Sequence, residues 1–124
     1  AAPIAVWIDA HRGQVFATLY APDGRTVLAP PSSLTPDETL DAWTDVLGTG
    51  RAVFAGDGAL RYAPAIRARL ADRALIPGDA PALAGAIGLL AAADPGRAVT
   101  PHAVVPLYVR RPDVELTRER LAKG

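Results

Sequence analysis

The stretch IAVWIDAHRGQVFATLYA, residues 4–21, decides the predicted fold of this chain. Ile4, Val6 and Ile8 alternate with small or aromatic apolar residues, so both faces of a first strand are apolar. This pattern predicts a strand that is covered on both sides. The letters HRG then predict a tight turn with a positive φ at Gly13, and QVFATLYA predicts a second strand of the same kind.

Two further turn signals extend this hairpin into a larger sheet. PDG at residues 22–24 predicts a turn into a third strand, RTVLAP, in which Pro30 and Pro31 suit the edge of a sheet. These three strands form an antiparallel meander. A fourth, short and buried strand is predicted within RAVFAGDG, residues 51–58, and it leads into a glycine turn.

A first helix is predicted between the third and fourth strands. Thr35, Pro36 and Glu38 have the spacing of a capping box with proline at the first helical position. The helix then carries one apolar stripe, which consists of Leu40, Trp43, Val46 and Leu47.

Three more helices are predicted after the fourth strand. The second begins near Pro64 and buries Ile66 and Leu70, and a short polar helix capped by Asp113 is the last. The third is capped by Asp79. Five of its residues are expected to face inward: Ala82, Leu83, Ala86, Ile87 and Leu90.

The order of elements is therefore β-β-β-α-β-α-α-α. A three-stranded meander followed by a helix and a parallel strand is the ribonuclease H-like arrangement. We predict a single α/β domain over residues 1–124, with an antiparallel meander, at least one parallel strand and flanking helices.

Composition excludes several classes of function. Thirteen basic and thirteen acidic residues balance, so no overall charge attracts nucleic acid or an anionic membrane. The chain has no cysteine, which excludes disulfides and thiolate metal sites, and no apolar run is long enough to span a bilayer. No signal peptide is recognisable, so a cytoplasmic location is expected.

Three stretches together resemble one family. IDAHRGQVF at residues 8–16 resembles the DARRGEVY strand–turn–strand of the bacterial TsaB (YeaZ) proteins. FAGDGALRYAPAI at residues 54–66 resembles their GDGA turn, and VPLYVRRPDVE at residues 105–115 resembles their C-terminal P-Y-(L/V)-R signature. The DTS strand and the GPGSFTGLR-like helix start of the family's first half are absent. The chain therefore looks like the second half of a TsaB-like protein.

This resemblance implies a domain of the ASKHA fold, in the glycoprotease-like superfamily, in which two ribonuclease H-like halves enclose a cleft. TsaB is a catalytically inactive relative of TsaD, which transfers a threonylcarbamoyl group to an adenosine of tRNA. The resemblance implies a scaffold that binds a TsaD-like protein and acts together with a TsaE-like ATPase. A homodimer is a further arrangement, and no membrane or strong direct nucleic-acid contact is expected.

The turn Gly56-Asp57-Gly58 is the candidate cofactor site. In active members of the superfamily this turn approaches a nucleotide, because glycines admit close contact and a helix N-terminus favours phosphate. Three residues without a Walker-type lysine are a weak motif. The structural alternative is a strand-to-helix turn in which Asp57 caps the helix. We expect no cofactor, with ATP as the alternative ligand.

Two other sets of side chains are candidates for metal or nucleic-acid binding. Asp9, Glu38 and Asp57 are loosely placed like the metal ligands of ribonuclease H enzymes, but Glu38 already has a capping role. Arg69 and Arg73 share a helix face and are interpreted as a solvated surface or as part of a basic patch. We expect no metal site and no catalytic residue.

Partner contacts are expected at two places. His11 and Arg12 lie at the predicted hairpin tip, where a solvated turn is the alternative to a contact with a partner or a substrate. Tyr108 and Arg110 lie in an extended segment that ends at Pro112. The resemblance to TsaB implies that this segment returns to a seam with the other half of the molecule. Alternation places these two side chains opposite the inward-pointing Leu107 and Val109. A purely local strap is the alternative.

Three functions from different classes follow. The first is a non-catalytic scaffold in the threonylcarbamoyladenosine modification of tRNA. The second is a nucleotide-dependent or glycoprotease-like enzyme that uses the turn at residues 56–58. The third is a general interaction module whose exposed apolar face drives self-association.

Overall fold

The fold is known from a computed structural model, which describes residues 1–111 and 113–124. These residues form a mixed α/β structure in which helices flank a five-stranded sheet. The prediction of an α/β fold with an antiparallel meander and parallel pairing is confirmed at this level. The expectations for Pro112, and for a cap formed by the side chain of Asp113, lie outside what the structure describes.

The sheet combines antiparallel and parallel pairing. Its strands are β1 Ile4–Asp9, β2 Val15–Tyr20, β3 Val27–Leu34, β4 Ala52–Ala55 and β5 Ala74–Leu75. They lie in the order β3-β2-β1-β4-β5. The pairs β1–β2 and β2–β3 are antiparallel, whereas β1–β4 and β4–β5 are parallel. The fifth strand was not predicted, because two residues are too few to show a period.

Six helices are present in the described residues. They are α1 Pro36–Ala42, α2 Thr44–Leu47, α3 Asp57–Arg61, α4 Ala63–Leu70, α5 Leu83–Ala93 and α6 Asp113–Lys123. The predicted first helix is interrupted at Trp43, and Val46, predicted to join its stripe, is exposed after the interruption. The part of the chain that the structure describes contains no helix that is both long and apolar enough to cross a bilayer.

The β1–β2 hairpin turns through three successive residues with positive φ. His11, Arg12 and Gly13 have φ values of 59°, 55° and 73°. The amide of Gln14 donates to the carbonyl of His11 at 3.0 Å and closes the turn. The prediction for Gly13 is confirmed. The left-handed conformation costs a non-glycine residue roughly 1–2 kcal/mol, so the pairing of the two strands must hold His11 and Arg12 there.

β3 lies at the edge of the sheet, as its two prolines predicted. Pro30 and Pro31 lie within the strand. Its register with β2 shifts between Ala17 and Leu19, and again between Leu19 and Tyr20. Proline has no amide to donate, so it fits a strand only where the ladder is irregular or faces solvent.

The predicted capping box at the start of α1 is confirmed. The amide of Glu38 donates to Oγ1 of Thr35 at 3.3 Å, and the amide of Thr35 donates to Oε2 of Glu38 at 2.9 Å. Pro36 occupies the first helical position. The bond from the Thr35 amide, with a second from its hydroxyl, lowers the pKa of the Glu38 carboxyl below its ordinary value.

Trp7 lies at the centre of the core between the sheet and the helices. Its side chain is fully buried, and its ring contacts Trp43 and Phe54 edge-on at centroid distances of 6.2 and 5.5 Å. Aromatic pairs in this arrangement gain about 0.5–1.5 kcal/mol beyond the burial of their area. The other buried members of this core are Ala5, Val15, Ala17, Leu19, Leu40, Ala52, Ala59, Ile66 and Leu70.

Among the described residues, no helix contributes buried core residues to the opposite face of the sheet. Helices α1, α3 and α4 supply core residues on the side of Ala5 and Trp7. On the other side Ile4 and Val6 are half-buried, and Ile8 is exposed. The prediction that β1 is covered on both sides is therefore wrong for the described residues. An alternating apolar sequence specifies two apolar faces, but it does not specify the element that covers the second.

Helix α5 does not bury the residues that were predicted to face inward. Its N-cap is Ala82 and no side chain caps it, so the predicted cap by Asp79 is wrong. The five predicted inward residues are all exposed: Ala82, Leu83, Ala86, Ile87 and Leu90. An apolar stripe faces inward only where another element lies opposite it, and no described element does so here.

The turn after β2 generates a prediction about acid titration. The carboxylate of Asp23 accepts the Thr26 hydroxyl at 2.6 Å and the amides of Arg25 and Thr26 at 2.8 and 2.9 Å. These bonds, with the Thr26 hydroxyl first, lower the pKa of Asp23 from 3.8 to about 2. Because the folded-state pKa lies below the unfolded one, this carboxylate stabilises the fold above pH 3.8. That contribution is lost as the pH falls towards 2.

We expect the carboxyl carbon of Asp23 to titrate near pH 2 in an NMR titration of the folded chain. The variant Thr26→Val keeps the backbone amides but removes the hydroxyl donor, so the Asp23 pKa should rise. Titration of Asp23 at its ordinary value in the unsubstituted chain would contradict the bonding of this turn.

Candidate functional site

The glycine turn between β4 and α3 packs directly against the backbone of β1. Gly56 has φ of 106°, and a Cβ at this position would collide with the carbonyl oxygen of Trp7. A Cβ at Gly58 would lie 2.8 Å from the carbonyl carbon of Ile8 and 2.9 Å from the amide nitrogen of Asp9. The open sides of both glycines therefore face the first strand, and the strand backbone fills the space that a side chain would occupy.

Asp57 binds the end of β1. Its Oδ1 accepts the amide of Asp9 at 3.0 Å, and α3 has no side-chain cap. The alternative that Asp57 caps its own helix is therefore wrong. The sequence predicted that the Asp57 carboxylate accepts amides of its own helix. It instead accepts the amide of Asp9, which lies 48 residues away in the chain.

Asp9 is the centre of a small polar network. Its carboxylate accepts the amide of His11 at 3.1 Å and Nη1 of Arg61 at 2.9 Å, and its side chain is only 11% exposed. Nδ1 of His11 lies 3.7 Å from Oδ2 of Asp9. These bonds, together with the one that the Asp9 amide donates to Asp57, attach the hairpin tip and α3 to the same strand end.

The metal-ligand set considered from the sequence is not assembled as a group. Glu38 is engaged in the capping box of α1, while Asp9 and Asp57 are joined through the Asp9 amide. In the described residues no three or more histidine and acidic side chains are placed to hold a metal ion.

The strap, residues 107–111, crosses the end of the β1–β2 hairpin. Nη1 of Arg110 donates to the carbonyl of Ala10 at 2.8 Å and to Oε1 of Gln14 at 3.3 Å. The Arg110 guanidinium carbon lies 5.4 Å from the centre of the Phe16 ring. Arg110 thus lies against the sheet, as a local strap would.

The side chains of the strap do not alternate between buried and exposed as the sequence predicted. Leu107, which was predicted to anchor inward, is 76% exposed, as is Tyr108. Val109 and Arg110 are the half-buried members instead. The prediction for Leu107 is wrong because guanidinium bonding to the hairpin, and not apolar anchoring, orients the segment.

The structure brings two of the four predicted contact residues into one groove. Arg12 and Arg110 line a groove of about 370 Å³. The other walls of this arginine groove are formed by Gln14, Ser33, Val109, Arg111, Leu116 and Arg120. Tyr108 lies in a neighbouring pocket beside Arg110. His11 does not line the groove, and Gln14, Ser33 and Arg120 gave no signal in the sequence.

Two acidic side chains of α6 pair with Arg111, which is one of the arginines that line the groove. Arg111 donates to Glu115 at 3.4 Å and to Glu119 at 2.7 Å. The hydrogen bond that Arg111 donates to Glu119 is the main reason that the pKa of Arg111 is raised above its usual range. The groove therefore suits single carboxylates or other small anionic groups rather than a long polyanion.

Three arginines in α3, α4 and the following turn bond to other elements of the chain. Arg61 pairs with Asp9, Arg69 with Asp41, and Arg73 donates to the carbonyl oxygens of Gly48 and Gly50. These contacts favour the interpretation of Arg69 and Arg73 as structural surface residues over that of a basic patch.

No protein-family model matches this chain, and no curated protein matches it.

Because α3 lies so close to β1, a methyl group added at Gly58 should markedly lower the stability of the fold. Gly58→Ala should lower the free energy of unfolding by about 1–3 kcal/mol, because the added Cβ meets backbone atoms that cannot move aside. Gly85→Ala on α5 is the control, since no atom lies within 4 Å of its Cβ position. Alanine should stabilise that site by up to about 1 kcal/mol. Urea unfolding measures both, and equal stability of the two variants would contradict the packing.

The strap predicts a second effect on stability. Arg110→Ala should cost about 1–2 kcal/mol, because two charge-assisted bonds and a ring contact are lost together. Arg111→Ala is the matched control, since its partners lie on the exposed side of α6 and its loss should change stability little. A loss for Arg110→Ala no larger than that of the control would contradict the strap.

Proposed function

We propose that this chain is a non-catalytic scaffold domain, equivalent to the second half of a TsaB-like protein. In this role it supports threonylcarbamoyladenosine modification of tRNA in the cytoplasm, by binding a TsaD-like protein that acts with a TsaE-like ATPase. The proposal combines the resemblance of the three stretches with the geometry of the glycine turn and of the arginine groove.

The sheet supports the fold that this proposal requires. Three antiparallel strands, β1 to β3, stand beside two parallel strands reached through helices, in the order β3-β2-β1-β4-β5. This is the arrangement expected of a ribonuclease H-like half of an ASKHA protein. The stretches that resemble the family form the β1–β2 hairpin, the turn into α3 and the strap, all of which meet at one end of β1.

The observation that carries the non-catalytic role is the position of the glycine turn. A phosphate-binding turn presents its backbone amides to an open site. Here Gly56 and Gly58 face the backbone of β1, and Asp57 adds a carboxylate bonded to Asp9. These contacts give the motif a packing role that needs no nucleotide.

The arginine groove and the strap supply a surface for a protein partner. Arg12 and Arg110 line the groove, and the exposed Tyr108 stands beside it. Tyrosine and arginine are the residues that most often dominate protein interfaces, because they combine a large contact area with directional bonds. We assign this surface to an acidic region of the TsaD-like partner.

Calorimetric titration tests the proposal. The TsaD-like protein of the same source should bind the chain, whereas ATP with magnesium should give no binding heat. Tyr108→Ala should weaken partner binding by about tenfold or more, as truncation of an interface anchor does. Leu121→Ala, a comparably exposed residue of α6 outside this surface, is the control and should bind like the unsubstituted chain.

Two outcomes would overturn the proposal. Micromolar binding of ATP to the isolated chain would favour the nucleotide-dependent enzyme. Failure of the TsaD-like protein to bind the chain at about 100 μM, which corresponds to less than about 5.5 kcal/mol of binding free energy, would remove the scaffold role.

A further inference from the structure

A groove of about 430 Å³ lies between the strap and the face of the sheet away from α1, α3 and α4. We call it the strap groove. Strands β1 and β2 contribute apolar and aromatic side chains, which include Val6, Ile8, Phe16 and Tyr20, and residues 107–110 of the strap also line it. Sites for small ligands usually have volumes of about 300–1,000 Å³, so the strap groove has the size of such a site.

Of the described residues that line the strap groove, only Arg110 is charged. The remaining lining is apolar except for the hydroxyl groups of Thr18, Tyr20 and Tyr108. A second charge on a ligand would find no partner here, and burial of an unpaired charge is costly. The lining therefore matches a ligand with an apolar body and one charged group.

The positive charge of Arg110 is paired with no carboxylate in the part of the chain that the structure describes. Its guanidinium donates to two neutral acceptors, the carbonyl of Ala10 and the side-chain oxygen of Gln14, and it lies over the Phe16 ring. Glu115, which lines a neighbouring pocket with Arg110, pairs with Arg111 instead. Because Arg110 is half-buried, its guanidinium has lost part of its water and lacks a counter-ion.

The guanidinium of Arg110 also keeps hydrogen-bond donors for an anion. Both of its bonds come from Nη1, so Nε and Nη2 have no partner among residues 1–111 and 113–124. A carboxylate binds two neighbouring guanidinium nitrogens with two parallel hydrogen bonds. A carboxylate therefore matches the unused donors in charge and in geometry.

We propose that the strap groove binds a small monocarboxylate with an apolar body, such as an arylalkanoic or a medium-chain alkanoic acid. The carboxylate binds Nε and Nη2 of Arg110, and the apolar body packs on Val6, Ile8 and Tyr20. A phosphate monoester does not fit, because its second charge exceeds what one guanidinium balances. This inference does not depend on the proposed function, and its test uses the chain without a protein partner.

The volume of the strap groove favours a free small molecule over the C-terminus of a protein. A groove of about 430 Å³ encloses a small ligand. A stable protein complex instead needs about 800 Å² of surface from each partner, much more than one enclosed carboxylate and its apolar body supply.

NMR titration of the full chain with phenylpropionate tests the proposal. The amide resonances of Phe16, Thr18 and Tyr108 should shift, and the Nε–H resonance of Arg110 should move downfield, which reports a hydrogen bond to the carboxylate. The dissociation constant should be on the order of 1 mM, as expected for a ligand of this size. Phenylpropionamide has the same shape without the charge and should bind at least about tenfold more weakly.

Two substitutions test the roles of the lining residues. Arg110→Gln should weaken the binding of phenylpropionate by about tenfold or more and leave that of phenylpropionamide unchanged. Arg67→Gln is the matched control, since it makes the same change at an exposed arginine of α4 on the other side of the sheet. Thr18→Phe should abolish the binding of both ligands by filling the groove, and it leaves the bonds of Arg110 in place. It therefore decides the question if Arg110→Gln does not fold.

Four results overturn the proposal. Equal binding of phenylpropionate and phenylpropionamide means that Arg110 recognises no carboxylate. Shifts confined to α5, which is also apolar and exposed, mean that the ligand binds elsewhere. Absence of shifts at about 10 mM phenylpropionate means that the groove binds no such ligand. Tighter binding of acetyl-glycyl-phenylalanine than of phenylpropionate assigns the groove to a peptide C-terminus and not to a free small molecule.

Discussion

The contact between the start of α3 and the backbone of β1 is the constraint on which the rest of this structure depends. Gly56 and Gly58 leave no room for a Cβ, so helix and strand meet at backbone distance. This approach holds β4, which leads directly into α3, parallel to β1. It also directs α4 across the same face, where Ile66 and Leu70 complete the core around Trp7.

The same constraint makes the core one-sided. Because β4 enters α3 against one face of β1, helices α3 and α4 join α1 on that face. The second face keeps the apolar character of its sequence without a helix to cover it, and α5 keeps an apolar stripe without a platform. The second face of the sheet and α5 remain apolar and uncovered because the first helices pack on the other face. Half of the residues are apolar, and these two surfaces hold many of those that lie outside the core.

The polar contacts near the hairpin connect the sheet to the surface that we propose for a partner. The Asp9 carboxylate accepts hydrogen bonds from the His11 amide and the Arg61 guanidinium, and the Asp9 amide donates to Asp57. Because Asp57 and Arg61 belong to α3, these bonds hold the end of β1 against that helix. The strap then attaches through Arg110 to the same hairpin. If the proposed partner binds here, a surface built on these contacts loses little conformational freedom when that partner docks.

The sequence by itself determined the features whose signals lie within a few residues: the β1–β2 turn at Gly13, the edge strand with Pro30, and the capping box at Thr35. Only the tertiary structure decided which atoms Asp57 and Arg110 bind, and whether the apolar faces of β1 and α5 are covered. Asp57 and Arg110 bond to groups 48 and 100 residues away. A local sequence pattern shows that a polar side chain needs a hydrogen-bond partner or that an apolar face needs an element packed on it. The packing of distant elements determines which partner or element that is.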